Sequence, residues 1–219
     1  MFAASFQLKG YNAERELLRV TRKRRSRSFV QGFLKLHFHL SAGSGTNITI
    51  TDVLGTGKTN GSGSNTHGYN YLCSAPGRGG AGFCNPNGSQ PSTTITWSSS
   101  ANNGIVVGTG STAVAPTDFK LATQVVDGTT AGTLEHLTCA GTNLTTSATA
   151  GSFDVERLFR NSSGGSITIN EIGIYCLQAT DSSANQVNHF CILRDLVSPG
   201  FAVANLEYMR AIYTLTVTA

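Results

Sequence analysis

The chain has 219 residues, of which only 13% are charged, and it favours Gly, Ser, Thr, Asn and Ala over the Lys and Glu of surface helices. That usage suits short strands and many turns and argues against a mainly helical protein. No apolar run nears the ~18 to 20 residues that span a bilayer, so no membrane partner is expected.

The net charge of +4 conceals a division. Through Leu40, nine Lys and Arg stand against Glu14 and Glu16, a net of +7, whereas Ser41 to Ala219 carries seven basic residues against ten acidic ones, a net of −3. The length accommodates one all-β domain at 41–219 preceded by a basic arm at 1–40. A cationic arm on a mildly acidic body reads as an anchor for something negative, a nucleic acid or an acidic protein surface.

In chain order, Asn12 is placed to cap a helix over Ala13 to Arg24, with Glu14 and Glu16 in its first turn and Arg22, Lys23 and Arg24 in its last. Leu17, Leu18 and Val20 give it a partial apolar face that needs a partner surface. Phe29 to Leu40 fits a helical stripe (Phe33, Leu36, Leu40) at its start, while the alternation of Leu34, Leu36, Phe38 and Leu40 leaves its end open. The nearest approach to a signal peptide, Lys23 to Gly43, is broken by Gln31, Lys35, His37 and His39, so the arm is expected to be retained.

After Leu40 a period of two takes over. Asn47 to Val53, Thr93 to Ser98, Ile105 to Gly108 and Leu134 to Cys139 read as short strands, and Gly55 to Pro91 as a long Gly/Ser/Asn-rich loop. Phe153, Val155 and Phe159 share a parity, Asn161 to Gly165 supply turn chemistry, and Ile167 and Ile169 resume the alternation, which predicts a hairpin. The apolar parity then switches at Asn170-Glu171, as either a β-bulge or a strand buried on both faces requires. Met209, Ala211, Tyr213, Leu215 and Val217 alternate with polar residues, which places the last strand in a sheet.

Motifs for chemistry are weak. Gly55 to Thr59 resembles the tail of a phosphate-binding loop, but the motif's first glycine is Asp52 and no helical pattern follows, so a turn is expected. Gly77 to Gly82 matches the dinucleotide fingerprint in letters only, without the strand before it or the helix after it. Five cysteines make an odd count. Cys139, Cys176 and Cys191 read as buried small hydrophobes. Cys73 and Cys84 either remain thiols or close a disulfide worth about 3 kcal/mol. With His67 they lack a fourth zinc ligand. His189 with Cys191, and His136 with Glu135, lack the surroundings of a nucleophilic pair. Asp154 and Glu156 beside Arg157 and Arg160 read as cross-strand partners and not as paired catalytic acids. No catalytic, cofactor or metal site is expected, and an enzyme is the least supported class.

The runs Gly104 to Gly110, Ala115 to Leu121 (Ala-Pro-Thr-Asp-Phe-Lys-Leu) and Phe159 to Tyr175 resemble the β-sandwich pattern of small virion proteins of tailed bacteriophages, as do an arm like Arg25 to Val30 and a closing Ile192 to Asp195 before a Thr-rich strand. That resemblance implies a mainly β, antiparallel β-sandwich of jelly-roll or related topology. It also implies a structural subunit of the virion that packs beside copies of itself and other virion proteins. In this reading Arg15, Arg19, Arg22, Lys23, Arg24, Arg25 and Arg27 contact carboxylates or phosphates, and Phe29, Phe33, Leu34 and Leu36 bury against a partner. Two other functions stay open: receptor or glycan binding through the loop bearing Tyr69, Tyr71, Phe83 and, beyond it, Trp97; and nucleic-acid binding through the arm.

Overall fold

The computed structural model describes residues 2–26, 28–35, 49–59, 95–96, 103–179 and 187–218. It is mainly strand, arranged in antiparallel sheets. Twelve strands are described: β1 (Phe2–Tyr11), β2 (Leu17–Val20), β3 (Arg24–Ser26), β4 (Thr49–Thr51), β5 (Gly57–Thr59), β6 (Ile95–Thr96), β7 (Gly104–Gly108), β8 (Glu135–Thr146), β9 (Ala150–Arg160), β10 (Ile167–Ala179), β11 (Val187–Val203) and β12 (Tyr208–Thr218). A seven-stranded sheet runs β2-β1-β12-β9-β8-β6 with β3 also on β1, a three-stranded sheet runs β11-β10-β7, and β4 pairs with β5.

The spine of the large sheet joins opposite ends of the sequence. β1 pairs with β12 in unbroken register from Phe2↔Val217 to Tyr11↔Tyr208, and β12 pairs with β9 from Tyr208↔Arg160 to Thr218↔Ala150. The cause is a matched alternation. Ala4, Phe6 and Leu8 are buried together with Met209, Ala211, Tyr213 and Leu215, while Ser5, Gln7 and Lys9 stand half-exposed on the outer face. Each fully buried Phe or Leu contributes roughly 1.5–3 kcal/mol. Ile105, Val107, Ile172, Ile174 and Phe201 of the three-stranded sheet belong to the same cluster, so the core lies where the inner faces of the two larger sheets meet. Tyr213 links them directly, its hydroxyl donating to Asp195 Oδ2 at 2.9 Å.

Three expectations need correction or refinement. No helix occupies Ala13 to Arg24. Asn12 Oδ1 instead accepts from Glu16 N at 2.7 Å, Arg15 takes a left-handed φ of 65°, and the chain turns back so that β2 and β3 pair along β1. A ladder on β1 satisfies the backbone at once, whereas the helix had too small an apolar face to persist. The only helix among the described residues is the turn and a half at 31–35, which agrees with the expected start after Phe29; residues 36–40 lie outside the described ones.

Second, β9 and β10 do not form a hairpin. They sit in different sheets, and Asn161 to Ser166 carry the chain from one to the other. Asn161 is fully buried, and its Nδ2 donates to Gly165 O at 2.8 Å and Val203 O at 2.7 Å. Leu206 N donates to its carbonyl at 2.6 Å, so this crossing is clamped to the return crossing between β11 and β12. Turn residues and strand parity are the same for a hairpin and a crossing; partner choice is a long-range matter.

Third, the parity switch in β10 has both of its proposed causes. The register shifts between Ile169 and Glu171, and residues 171–176 are buried on both faces. The segment after β7 covers the second face through charge. Arg194 Nε donates to Glu171 Oε2 at 2.9 Å and its Nη1 to Asp118 Oδ2 at 2.6 Å, while Glu171 also accepts from Ala122 N and Thr123 N. Arg194 is 2% exposed and Glu171 fully buried.

A buried pair is dangerous to break and cheap to replace whole. Arg194→Met, which leaves the buried Glu171 carboxylate without a cation, is expected to lower stability by about 3–5 kcal/mol in urea unfolding, and Arg194→Met with Glu171→Gln, which removes the charge but keeps an oxygen for the Ala122 and Thr123 amides, by less than the single change. A double variant as unstable as the sum of both single losses would contradict this account.

Candidate interaction surface

The described basic residues among those singled out in the sequence, Arg15, Arg19, Arg22, Lys23, Arg24 and Arg25, lie along one edge of the large sheet and around the turn that leads to it. Arg15 sits in the turn after β1 with its guanidinium 5.4 Å from the centre of the Tyr208 ring. Arg19 is consumed internally: it pairs with Glu207, Nη2 to Oε2 at 2.5 Å, donates to Ala202 O and lies over Phe201. Arg19, donating to it, holds the Glu207 carboxyl below the ordinary carboxylate range. Arg22, Lys23 and Arg25 are exposed and Arg24 half-buried, and none of the four meets a carboxylate among the described residues.

The apolar residues divide differently. Phe29 and Phe33 meet at a tilt with ring centres 4.4 Å apart and pack on the protein's own core, while Val30 is buried in a second cluster with Val106, Leu121, Tyr175 and Cys191. Leu34 is exposed; Arg27 and Leu36 lie outside the residues whose side chains are described. Sequence reasoning expected Leu17, Leu18 and Val20 to need a partner surface, and the fold leaves them on β2 at 56%, 50% and 46% exposure. It had placed them on a helix face.

Beside this edge the outer face of the sheet holds an open groove of about 320 Å³, lined by Tyr11, Arg15, Glu156, Leu158, Tyr208 and Arg210 among others. Tyr208 lies between two cations, Arg15 on one hand and Arg160 at 5.8 Å on the other. Tyr11 was not foreseen because the alternation of β1 went unread, although Ala4, Phe6 and Leu8 against Ser5, Gln7 and Lys9 spell it out.

The described carboxylates of the body are engaged elsewhere. Glu156 accepts from Arg210 at 2.5 Å, Asp154 from Thr214 Oγ1 at 2.6 Å and Asn143 Nδ2 at 2.9 Å, and Glu135 from Ser162. Asp52 Oδ1 accepts from Leu54 N and Thr56 N, closing the β4–β5 turn in which Gly55 takes a φ of 84°, so the Gly55 to Thr59 motif is a turn and a strand. Asp127 accepts from His136 N. Asp118, Glu171, Asp195 and Glu207 have the partners already described. Arg22 to Arg25 are four consecutive cations that none of the described ion pairs includes.

Groups weighed for nucleophilic chemistry are held inert. Cys139, Cys176 and Cys191 are free and buried, as their sequence setting suggested; burial pushes the Cys139 thiol up to about 11 and that of Cys176 to about 12. Arg157 is buried, not a surface partner of Asp154 and Glu156. It shares the inward parity of Val155 and Phe159, and it donates to the carbonyls of Leu137, Asn103 and Ile105. Among the described residues no three His, Cys, Asp or Glu side chains gather to hold a metal, and no helix is long and apolar enough to cross a membrane. Cys73, Cys84, His67, Tyr69, Tyr71, Phe83, Trp97 and the Gly77 to Gly82 run lie outside the residues whose side chains are described.

Comparisons with models of known protein families, with curated proteins and with solved structures each found no match.

His136 is 4% exposed and meets Phe159 in a T-shaped contact with ring centres 4.9 Å apart. Burial first, and Arg157 second, depress its pKa to about 4. The unfolded chain takes up a proton near pH 6.5 that the folded one refuses, so stability is complete above that pH and falls as the pH drops toward 4. His136→Phe is expected to flatten that slope, worth on the order of 3 kcal/mol across the window, in denaturant titrations from pH 7 to 4. An unchanged slope would show that His136 is protonated as readily in the fold as outside it.

Proposed function

We propose that this chain is a structural subunit of a virus particle, of the tailed-bacteriophage kind, that acts by assembly and not by catalysis. In this reading the two larger sheets are the two layers of a β-sandwich of jelly-roll or related topology, packed beside other virion proteins and copies of the chain. The observation that carries the reading is where the resembling segments go. Asp118 of the Ala115 to Leu121 run, Glu171 of the Phe159 to Tyr175 run and Arg194 of the Ile192 to Asp195 run meet in one buried ion network. Sequence features that recur to hold a fold together, while the surface offers one concentrated charge, suit a building block.

The contact residues change role with the fold. Residues 2–11 are an inner strand, so the basic stretch is presented as a fixed sheet edge, and Phe29 and Phe33 serve the protein's own core. Removing 1–40 would also strip β12 of one of its two partners and is a poor test. Charge reversal keeps the ladder. The full chain carrying Arg22→Glu, Lys23→Glu and Arg25→Glu is expected to keep its Tm within about 2 °C, since exposed ion pairs contribute little, yet to be at least about tenfold depleted in particles purified by density gradient. Incorporation equal to the unaltered chain would overturn the anchoring role of this edge.

A further inference from the structure

We infer that the β2–β3 edge accepts an extended acidic segment of another protein, which adds to the large sheet as a further strand. This rests on the assembly reading and names the chemistry of the partner.

The backbone supplies the first half of the site. Gly10 pairs with Arg19 and Lys9 with Val20, and Thr21 N donates to Leu8 O at 2.9 Å. Arg19 and Thr21 thus face β1, and the alternation of an antiparallel ladder turns the N–H and C=O of Val20 outward. β2 ends the strand order, so no described strand meets them. From Lys9 to Phe6 β1 advances three residues while the edge advances four, from Val20 to Arg24, which makes a one-residue bulge at Thr21 to Lys23. The edge is therefore short, in two pieces, and suited to a short strand.

Side chains supply the second half. Leu17, Leu18 and Val20 put exposed apolar surface at the start of the edge, and Arg22 to Arg25 put unmatched positive charge at its end. Bulges and cations commonly guard an edge against pairing with its own kind. Two copies joined antiparallel about the bulge at Thr21 would set Arg22 to Arg25 of each against Leu17 to Val20 of the other, apolar surface that answers no charge, which disfavours a second copy as occupant. A partner strand with Val- or Thr-like side chains against Leu17 to Val20 and Asp or Glu against Arg22 to Arg25 answers both halves of the edge, which a copy does not. Main-chain bonds would give it affinity and alternate side chains specificity.

The test uses the full chain and a fluorescent peptide of about ten residues alternating Glu with Val and Thr, followed by anisotropy. Saturable binding is expected, weakened at least about tenfold when Lys replaces Glu, when alternate peptide nitrogens are methylated, or when Val20→Pro removes the outward N–H. Val20→Pro should leave the unfolding transition in place, because no described strand takes that nitrogen's hydrogen bond. The charge-reversed edge should prefer the Lys peptide. Equal binding of the methylated peptide would overturn strand addition, leaving charge alone. An oligothymidylate that binds more tightly than the Glu peptide would overturn it in favour of nucleic acid. No peptide binding alongside lost particle incorporation of the charge-reversed chain would overturn the strand site and leave the assembly role standing. Peptide binding with undisturbed incorporation would uphold the site and overturn that role.

Discussion

The ladder between β1 and β12 is the constraint on which the remaining structure depends. Ten consecutive residue pairs join the beginning of the described sequence to its last strand, and the matched burial of Ala4, Phe6 and Leu8 with Met209, Ala211, Tyr213 and Leu215 sets their register. A slip of one residue would turn Ser5, Gln7 and Lys9 into the core. Because the register is so specified, everything that follows β1 is placed as well. The turn at Asn12 to Glu16 returns the chain along the free side of β1, and the cations from Arg19 onward become the margin of a sheet.

That placement explains how a chain with a net charge of only +4 can carry a strongly charged surface. Charge of both signs in the body is spent on architecture. Arg194 with Glu171 and Asp118 pins the segment after β7, Arg19 with Glu207 ties β2 to the turn before β12, and Arg210 with Glu156 spans neighbouring strands of the outer face. What those pairs leave out includes four consecutive cations, Arg22 to Arg25, at one margin. A flexible arm with the same composition would lose entropy on docking, whereas a margin held by a ladder has already been ordered by folding.

Much of this was legible in the residues, and the failures share a cause. Alternation revealed β12, β9 and the interruption at Asn170, because a shift of parity leaves a mark in the sequence itself. The same alternation at Phe2 to Lys9 was overlooked in favour of the basic residues that follow. Charge order from Glu14 to Arg24 suits a helix dipole, but pairing on β1 fixes the segment to a folded sheet, a support that an isolated helix with three apolar residues lacks. The supposed hairpin after Arg160 failed on partner choice: Asn161 and Gly164 make the same local turn whether the chain returns to its sheet or crosses to the next. Arg157 shows the reverse lesson. Its parity with Val155 and Phe159 announced an inward side chain, and its charge argued against it; three backbone carbonyls settle the contest in favour of burial.

Residue-resolved amide hydrogen exchange on the full chain tests the central claim most directly. The account predicts that the amides of residues 4–10 exchange as slowly as those of residues 209–215, since both strands are bonded on two sides, and that the outward amide of Val20 exchanges far faster than that of Thr21 beside it. Exchange of residues 4–10 at the rate of an unstructured peptide, with β12 still protected, would show the basic segment to be a loose tether and contradict the account.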